Sequence, residues 1–235
     1  GWFDRTDPDG KTWDGLKSID AVVDRLRAAS DAMDSPDAPL SGWQLDPIYM
    51  NNERVSRADL DRVSTTRPIG ILHASGHIMN VNTRALELAG LMRTGINNPG
   101  IPLGADGYPT GELKGPEVMT PVGVHVDFER NMLDADETGL VNFAKLCVRT
   151  GTTTITDLAS RLDPSTVEMM LRVTGANDYP ARLVPLRFFL GLAPEDLVAE
   201  VIRLKAMSTD RLRLGWIKIV ADGSIKGFSA RLRWP

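Results

Sequence analysis

The stretch Arg213-Leu-Gly-Trp-Ile-Lys-Ile-Val-Ala-Asp-Gly-Ser-Ile-Lys-Gly-Phe228 decides how the chain is read, because it is patterned as a strand apolar on both faces with one lysine set inside it. At a period of two, Leu214, Trp216, Lys218, Val220 and Asp222 share one face, and Gly215, Ile217, Ile219 and Ala221 share the other. Two apolar faces predict a parallel strand covered on both sides. A lysine inside such a strand is rare unless it is paired or chemically altered. The plain alternative is a lysine that snorkels to the strand end or pairs with a carboxylate.

Ahead of this strand the chain alternates regularly. Asp134, with Glu137 three residues on, has the pattern of a capping box for a helix that runs to about Thr150 and stops at Gly151. Thr152-Thr-Thr-Ile-Thr-Asp157 is β-branched and strand-like. Asp163 caps and Pro164 opens a helix ending before Gly175. Ala181 to Leu190 reads as a strand, and Pro194 opens a helix through Met207. Strand, helix, strand, helix, strand predicts a parallel sheet with right-handed crossovers. Such sheets carry their chemistry at the C-terminal strand ends, here Asp157, Gly191 and Lys218 to Asp222. The residues by themselves fit an open doubly wound sheet and a section of a (β/α)8 barrel equally.

Residues 1–133 have a different texture, which divides the chain into 1–133 and 134–235. Ser18 is placed to cap a helix over Ile19 to Met33, and Ser56 a short helix from Arg57 to Val63. Ile69 to His73 is a short strand candidate. Ala74 to Leu91 reads as a turn feeding a helix that ends near Gly90. Asn97 to Thr120, rich in glycine and proline, reads as a loop-like segment in which Asp106-Gly-Tyr-Pro-Thr-Gly111 forms consecutive turns. Gly123-Val-His-Val-Asp127 alternates like a strand, with His125 structural. His73 and His77 stand four apart, the spacing of two zinc ligands on one helix face. Gly76 and the strand pattern before His73 argue against a continuous helix there, and no third ligand accompanies the pair.

The composition, 42% hydrophobic and 25% charged over 235 residues, supports a substantial core. A formal net charge of -4 argues against a nucleic-acid partner. No run approaches the roughly 20 apolar residues of a membrane span. The single cysteine, Cys147, excludes a disulfide framework and points to a reducing, cytoplasmic compartment. No phosphate-cradling glycine motif follows any predicted strand.

Five motifs, taken in order, resemble amidohydrolase family 3, the YtcJ-like branch that includes N-substituted formamide deformylases. They are Leu60-Asp-Arg-Val-Ser64 with Arg67-Pro68; Ala74-Ser-Gly-His77 followed by Val81-Asn82 and Ala85-Leu-Glu-Leu-Ala-Gly90; Gly107-Tyr-Pro-Thr-Gly111; Gly151-Thr-Thr-Thr-Ile-Thr-Asp157; and Lys218-Ile-Val-Ala-Asp-Gly-Ser224. The resemblance implies an α/β fold, a partial (β/α)8 TIM-type barrel holding strands two to four, with a long α+β insertion after the first strand. In this family a His-x-His pair ends the first barrel strand, a lysine the fourth, histidines the fifth and sixth, and an aspartate the eighth. Counting Gly151 to Asp157 as the second strand and Arg182 to Leu190 as the third makes Leu212 to Asp222 the fourth, which places Lys218 at a metal-ligand position.

The resemblance further implies a divalent metal, zinc in one or two ions, and a small-molecule substrate cleaved at an amide, formamide or carbamate-like C–N bond by metal-activated hydroxide. A lysine amine that adds carbon dioxide becomes a carbamate able to bridge two metals. His77 falls in the substrate pocket as a donor to the carbonyl oxygen or its oxyanion, with Ser75 and Asn82 beside it. Asp222 is expected to act in catalysis by orienting the lysine or the strand end. The chain departs from the family in having no His-x-His pair and no histidine after Lys218, and in carrying Gly115 where a glutamate is common, with Glu117 two residues on. It is therefore expected to be a fragment, with a homo-oligomer or a complementary barrel segment as partner and no membrane or nucleic acid. The alternative is a catalytically incomplete scaffold or binding fragment that needs a second chain.

Overall fold

The computed structural model describes residues 5–6, 10–128, 136–189, 192–220, 222, 225 and 230. The chain forms two units, one of residues 1–5, 12–134 and 222–235 and the other of residues 6–11 and 135–221. Near the start, β1 (Arg5–Thr6) and β2 (Thr12–Trp13) form a two-stranded ladder. No helix among the described residues is long and apolar enough to cross a membrane.

The first unit is built on a four-stranded sheet. Helix α1 (Ile19–Asp31) starts where Ser18 Oγ accepts from Ala21 N at 3.1 Å, and it buries Val22, Val23 and Leu26. The sheet runs β3 (Leu40–Leu45), β4 (Ile69–His73), β5 (Ile78–Val81) and β6 (Glu112–Lys114); β3 and β4 are parallel and the other pairs antiparallel. Arg67, 2% exposed, ties the last turn of α1 and the segment after it to the strand entry through Ser30 Oγ (3.0 Å), Ser35 O (2.7 Å) and Ala38 O. Helix α2 (Arg57–Asp61) has a full capping box, Ser56 and Asp59 each bonding the other's backbone. Helix α3 (Thr83–Leu88) is capped by Asn82, and α4 (Pro116–Gly123) opens on Pro116. Gly111 has φ +97°, and a Cβ there would lie 2.5 Å from Val81 O, so only glycine lets this turn press against β5.

Three expectations for this unit are corrected. Ile78 to Val81 is a strand rather than part of a turn feeding a helix; all four residues are buried, which erases the alternation that marks a half-exposed strand. Within Asn97 to Thr120, Glu112–Lys114 is a strand and Pro116 opens a helix. His125 lies in a 3-10 turn, Val124–Val126: Val122 and Val126 are buried four apart while Val124 is 64% exposed, a helical rather than a strand pattern.

The second unit is a parallel βαβαβ layer. Helix α5 (Glu137–Thr150) is capped by Asp136, whose Oδ1 accepts from Gly139 N at 2.5 Å, and stops at Gly151; the expected cap Asp134 lies outside the described residues. Then come β7 (Thr154–Ser160), α6 (Pro164–Thr174), β8 (Arg182–Phe188), α7 (Pro194–Ala206) and β9 (Trp216–Lys218). The strands pair in sequential order, all parallel, as successive strands of a (β/α)8 barrel do. The fold class is α/β, a partial barrel of the TIM type. The core of this unit gathers Cys147, Ile155, Leu162, Val167, Met170, Leu183, Leu204 and Leu212.

The lysine strand differs from its expected form. It is three residues long, Trp216 is 61% exposed and Ile219, just beyond it, 69%. Two-sided cover needs a neighbour on each edge and a layer on each face; among the described residues β9 pairs with β8 alone. Asp222 lies four residues past the strand end, so it does not share the strand face with Lys218.

Candidate functional site

The candidate residues fall in two places, each described within its own unit. In the first unit, β4 and β5 form a hairpin whose turn, Ala74 to His77, carries Ser75 and His77. His73 O accepts from Gly76 N at 2.9 Å, which closes the turn, and Ala74 N donates to Leu45 O at 2.9 Å, which anchors it to the end of β3. Ser75 and His77 are brought together: His77 N donates to Ser75 Oγ at 3.3 Å, and both side chains are half-buried. His77 O accepts from Gly115 N at 3.0 Å, so the turn is also tied to the entry of α4. There Glu117 folds back over Gly115, and a Cβ at position 115 would stand 2.6 Å from its Oε1.

Asn82 does not join this group. It is fully buried, and its side chain has no hydrogen-bonding capacity left. Oδ1 accepts from Ile69 N (3.0 Å) and Ala85 N (3.1 Å), and Nδ2 donates to Ser64 O (2.9 Å) and Arg67 O (2.8 Å). Asn82 thereby caps α3 and fastens the start of β4.

At the base of the turn lies a polar network that sequence reading missed. His73, 4% exposed, bonds Asn80 through Nε2, and Asn80 Nδ2 donates to Val55 O at 2.6 Å. Glu112, 7% exposed, pairs with Arg54 and Lys114, each at 3.1 Å. Burial pushes the His73 imidazole below its ordinary value, against the opposing pull of the Asn80 hydrogen bond and of Glu112. The signal was present in Ile78-Met-Asn-Val81, where one amide interrupts an apolar run. A separate cleft of about 210 Å³ opens between α1 and β3, lined by residues that include Leu26, Trp43 and Ile71 and none of the candidates.

In the second unit, Lys218 is the last residue of β9 and stands opposite Phe188, the last residue of β8. Ser160, the last of β7, pairs with Arg187, so the three strands end level and Lys218 lies on their C-terminal edge. Its side chain is half-buried, and Phe189 N donates to Lys218 O at 3.2 Å. The Phe188 and Phe189 rings meet edge to face, 5.3 Å apart, beside it. Asp157, expected at a strand end, sits inside β7 at a bulge, its Oδ1 accepting from Ala159 N at 3.1 Å. Gly191 lies outside the described residues; Asp222, which belongs to the first unit, is exposed. Among the described residues no three His, Cys, Asp or Glu side chains gather where a metal ion would be held.

The amidohydrolase family profile matches residues 7–235. Among solved structures the chain is similar to an uncharacterized metal-dependent hydrolase from Pyrococcus horikoshii OT3, at 14% identity and a TM-score of 0.46, covering 89% of this chain and 38% of that one. It is also similar to an uncharacterized metal-dependent hydrolase from Pyrococcus furiosus, at 12% identity and a TM-score of 0.43, covering 89% and 39%. The chain therefore spans less than half the length of these two structures. No curated protein matches it.

Proposed function

The chain belongs to the amidohydrolase family, and from that premise we propose that it contributes to a metal-dependent hydrolase that cleaves a C–N bond other than a peptide bond, in a small amide, formamide or carbamate-like substrate. The observation that carries the proposal is the place of Lys218, a half-buried lysine on the C-terminal edge of three parallel strands. That edge is where barrel enzymes keep their reacting groups. Lys218 fits as one donor of a metal site, and the described residues do not complete the set. A divalent metal, zinc in this proposal, supplies Lewis-acid polarisation and water activation when bound. The chain's own part is to offer the Lys218 amine, which takes up carbon dioxide and releases one proton to give an anionic carbamate. His77, on its short turn, donates to the substrate carbonyl oxygen as negative charge grows there, and the Ser75 hydroxyl lies beside it as a second polar contact. Asp222 is proposed as an orienting carboxylate.

A panel of N-substituted formamides, amides and carbamates assayed with the intact enzyme tests this. The expected result is hydrolysis lost to a chelator and restored by zinc; hydrolysis indifferent to chelation overturns it. A second reading, a scaffold or binding piece completed by another chain, is favoured by the bare apolar residues Trp216, Ile219 and Val220 around β9.

A further inference from the structure

His73 and Asn80 are two buried polar side chains on adjacent strands that meet in the Ala74–His77 turn. Two apolar residues would fill that space at less cost in desolvation, but they would not fix the torsion of either side chain. The amide orientation follows from its outer partner: Asn80 Nδ2 donates to Val55 O at 2.6 Å, so Oδ1 is the atom that faces His73. An amide oxygen has no proton to give, so the imidazole must donate from Nε2, and in the neutral ring Nδ1 then carries the lone pair. The charged groups facing the pair are Asp46 beyond β3, Arg54 ahead of α2 and Glu112 on β6, with Lys114 bound to Glu112. The same residue also closes the turn, its carbonyl accepting from Gly76 N.

We infer that His73, held by Asn80 as the Nε2–H form, is the positioning residue of the turn that presents His77. The ring at residue 73 locks the base of the hairpin, and the turn transmits that lock to Ser75 and His77. This rests on the proposed role of His77 toward substrate.

The chain has three histidines, so selective ¹⁵N labelling of histidine followed by long-range proton–nitrogen spectra reads each ring by itself. In the unaltered chain His73 is expected to show the Nε2–H pattern, because the Asn80 amide oxygen takes that proton; an Nδ1–H pattern at His73 overturns the inference without any variant. In Asn80→Leu the His77 ring-nitrogen and amide resonances are expected to move, with strand amides still dispersed. His73→Gln, which keeps a side-chain N–H donor toward Asn80, is expected to leave the His77 resonances where they were, and His73→Leu to shift them. His77 resonances identical in folded His73→Gln and His73→Leu overturn positioning, since a role in stability alone would not touch that ring. If Asn80→Leu does not fold, the two His73 variants and the tautomer decide the matter. His77 resonances that follow residue 73, beside unchanged turnover in His77→Ala of the intact enzyme, fail the substrate role and leave the positioning intact.

Discussion

Replacing Asn82 by alanine separates a structural residue from a substrate contact. The change removes four hydrogen bonds from a fully buried amide. Loss of the cap on Ala85 N costs about 1 kcal/mol. Ile69 N and Arg67 O are left buried without that partner, at about 1 kcal/mol each on the low side. Ser64 O sits where its bond is part-buried, and water replaces most of what it loses. The total is about 3 kcal/mol, a large share of a domain's usual stability. With a urea slope of about 2 kcal/mol per M, the midpoint of the first unit drops by about 1.5 M. Asn82→Ser restores the cap and is expected to recover about 1 kcal/mol. The assay is urea unfolding combined with hydrogen exchange at the Ile69 and Ala85 amides, both of which should lose protection. A loss under about 1 kcal/mol, with the Ile69 amide as protected as before, refutes the reasoning.

Because the folded His73 resists protonation while the unfolded ring titrates near 6.5, the unfolded state gains protons first; stability of the first unit is expected to fall as pH drops below that value, and His73→Gln to flatten the fall. Asp163, held down to about 2 from 3.8 by the hydroxyls and amide it caps on α6, stabilises at pH above 3.8 and loses that effect as pH falls through about 2; melting curves of Asp163→Asn should lack this acid limb. In the intact enzyme His77→Ala is expected to lower turnover by about 10² to 10³ with metal content unchanged, and loss of metal instead would make residue 77 a ligand. The chain by itself is expected to self-associate or bind an apolar dye at its bare β9 edge, and a dye-silent monomer in sedimentation counts against the proposed need for a partner.

Where the sequence was legible, punctuation made it so. Ser18, Ser56, Asp163 with Pro164, and Gly151 each mark a helix end through a local rule that needs no tertiary context, and each stands where that rule puts it. The βαβαβ rhythm survived for the same reason. What was lost depends on burial by distant chain. Leu40–Leu45 lies in polar surroundings and becomes a strand through pairing with Ile69–His73, 29 residues away at its first pair, Leu40 with Ile69. Ile78–Val81 is buried throughout, so its period vanished, and Val122 and Val126 buried on one side of a short helix gave His125 a false alternation. At the site, Ser75 and His77 were found by motif and share one turn, while Asn82, drawn from the same motif, proved to be a cap. The His73–Asn80 pair escaped because its meaning lies in a cross-strand contact. For Lys218 the strand and its final position were legible; the cover predicted for its faces was not found.

The account turns on Lys218 as a metal ligand, and the most direct measurement is the metal content of the intact enzyme carrying Lys218→Ala, by elemental analysis beside the unaltered protein. The variant is expected to lose bound metal and activity, and to regain part of both when acetate or propionate fills the vacated space with a free carboxylate. Full metal occupancy in the folded variant contradicts the assignment, because a lysine that only reaches for solvent or pairs with a carboxylate leaves the metal where it was.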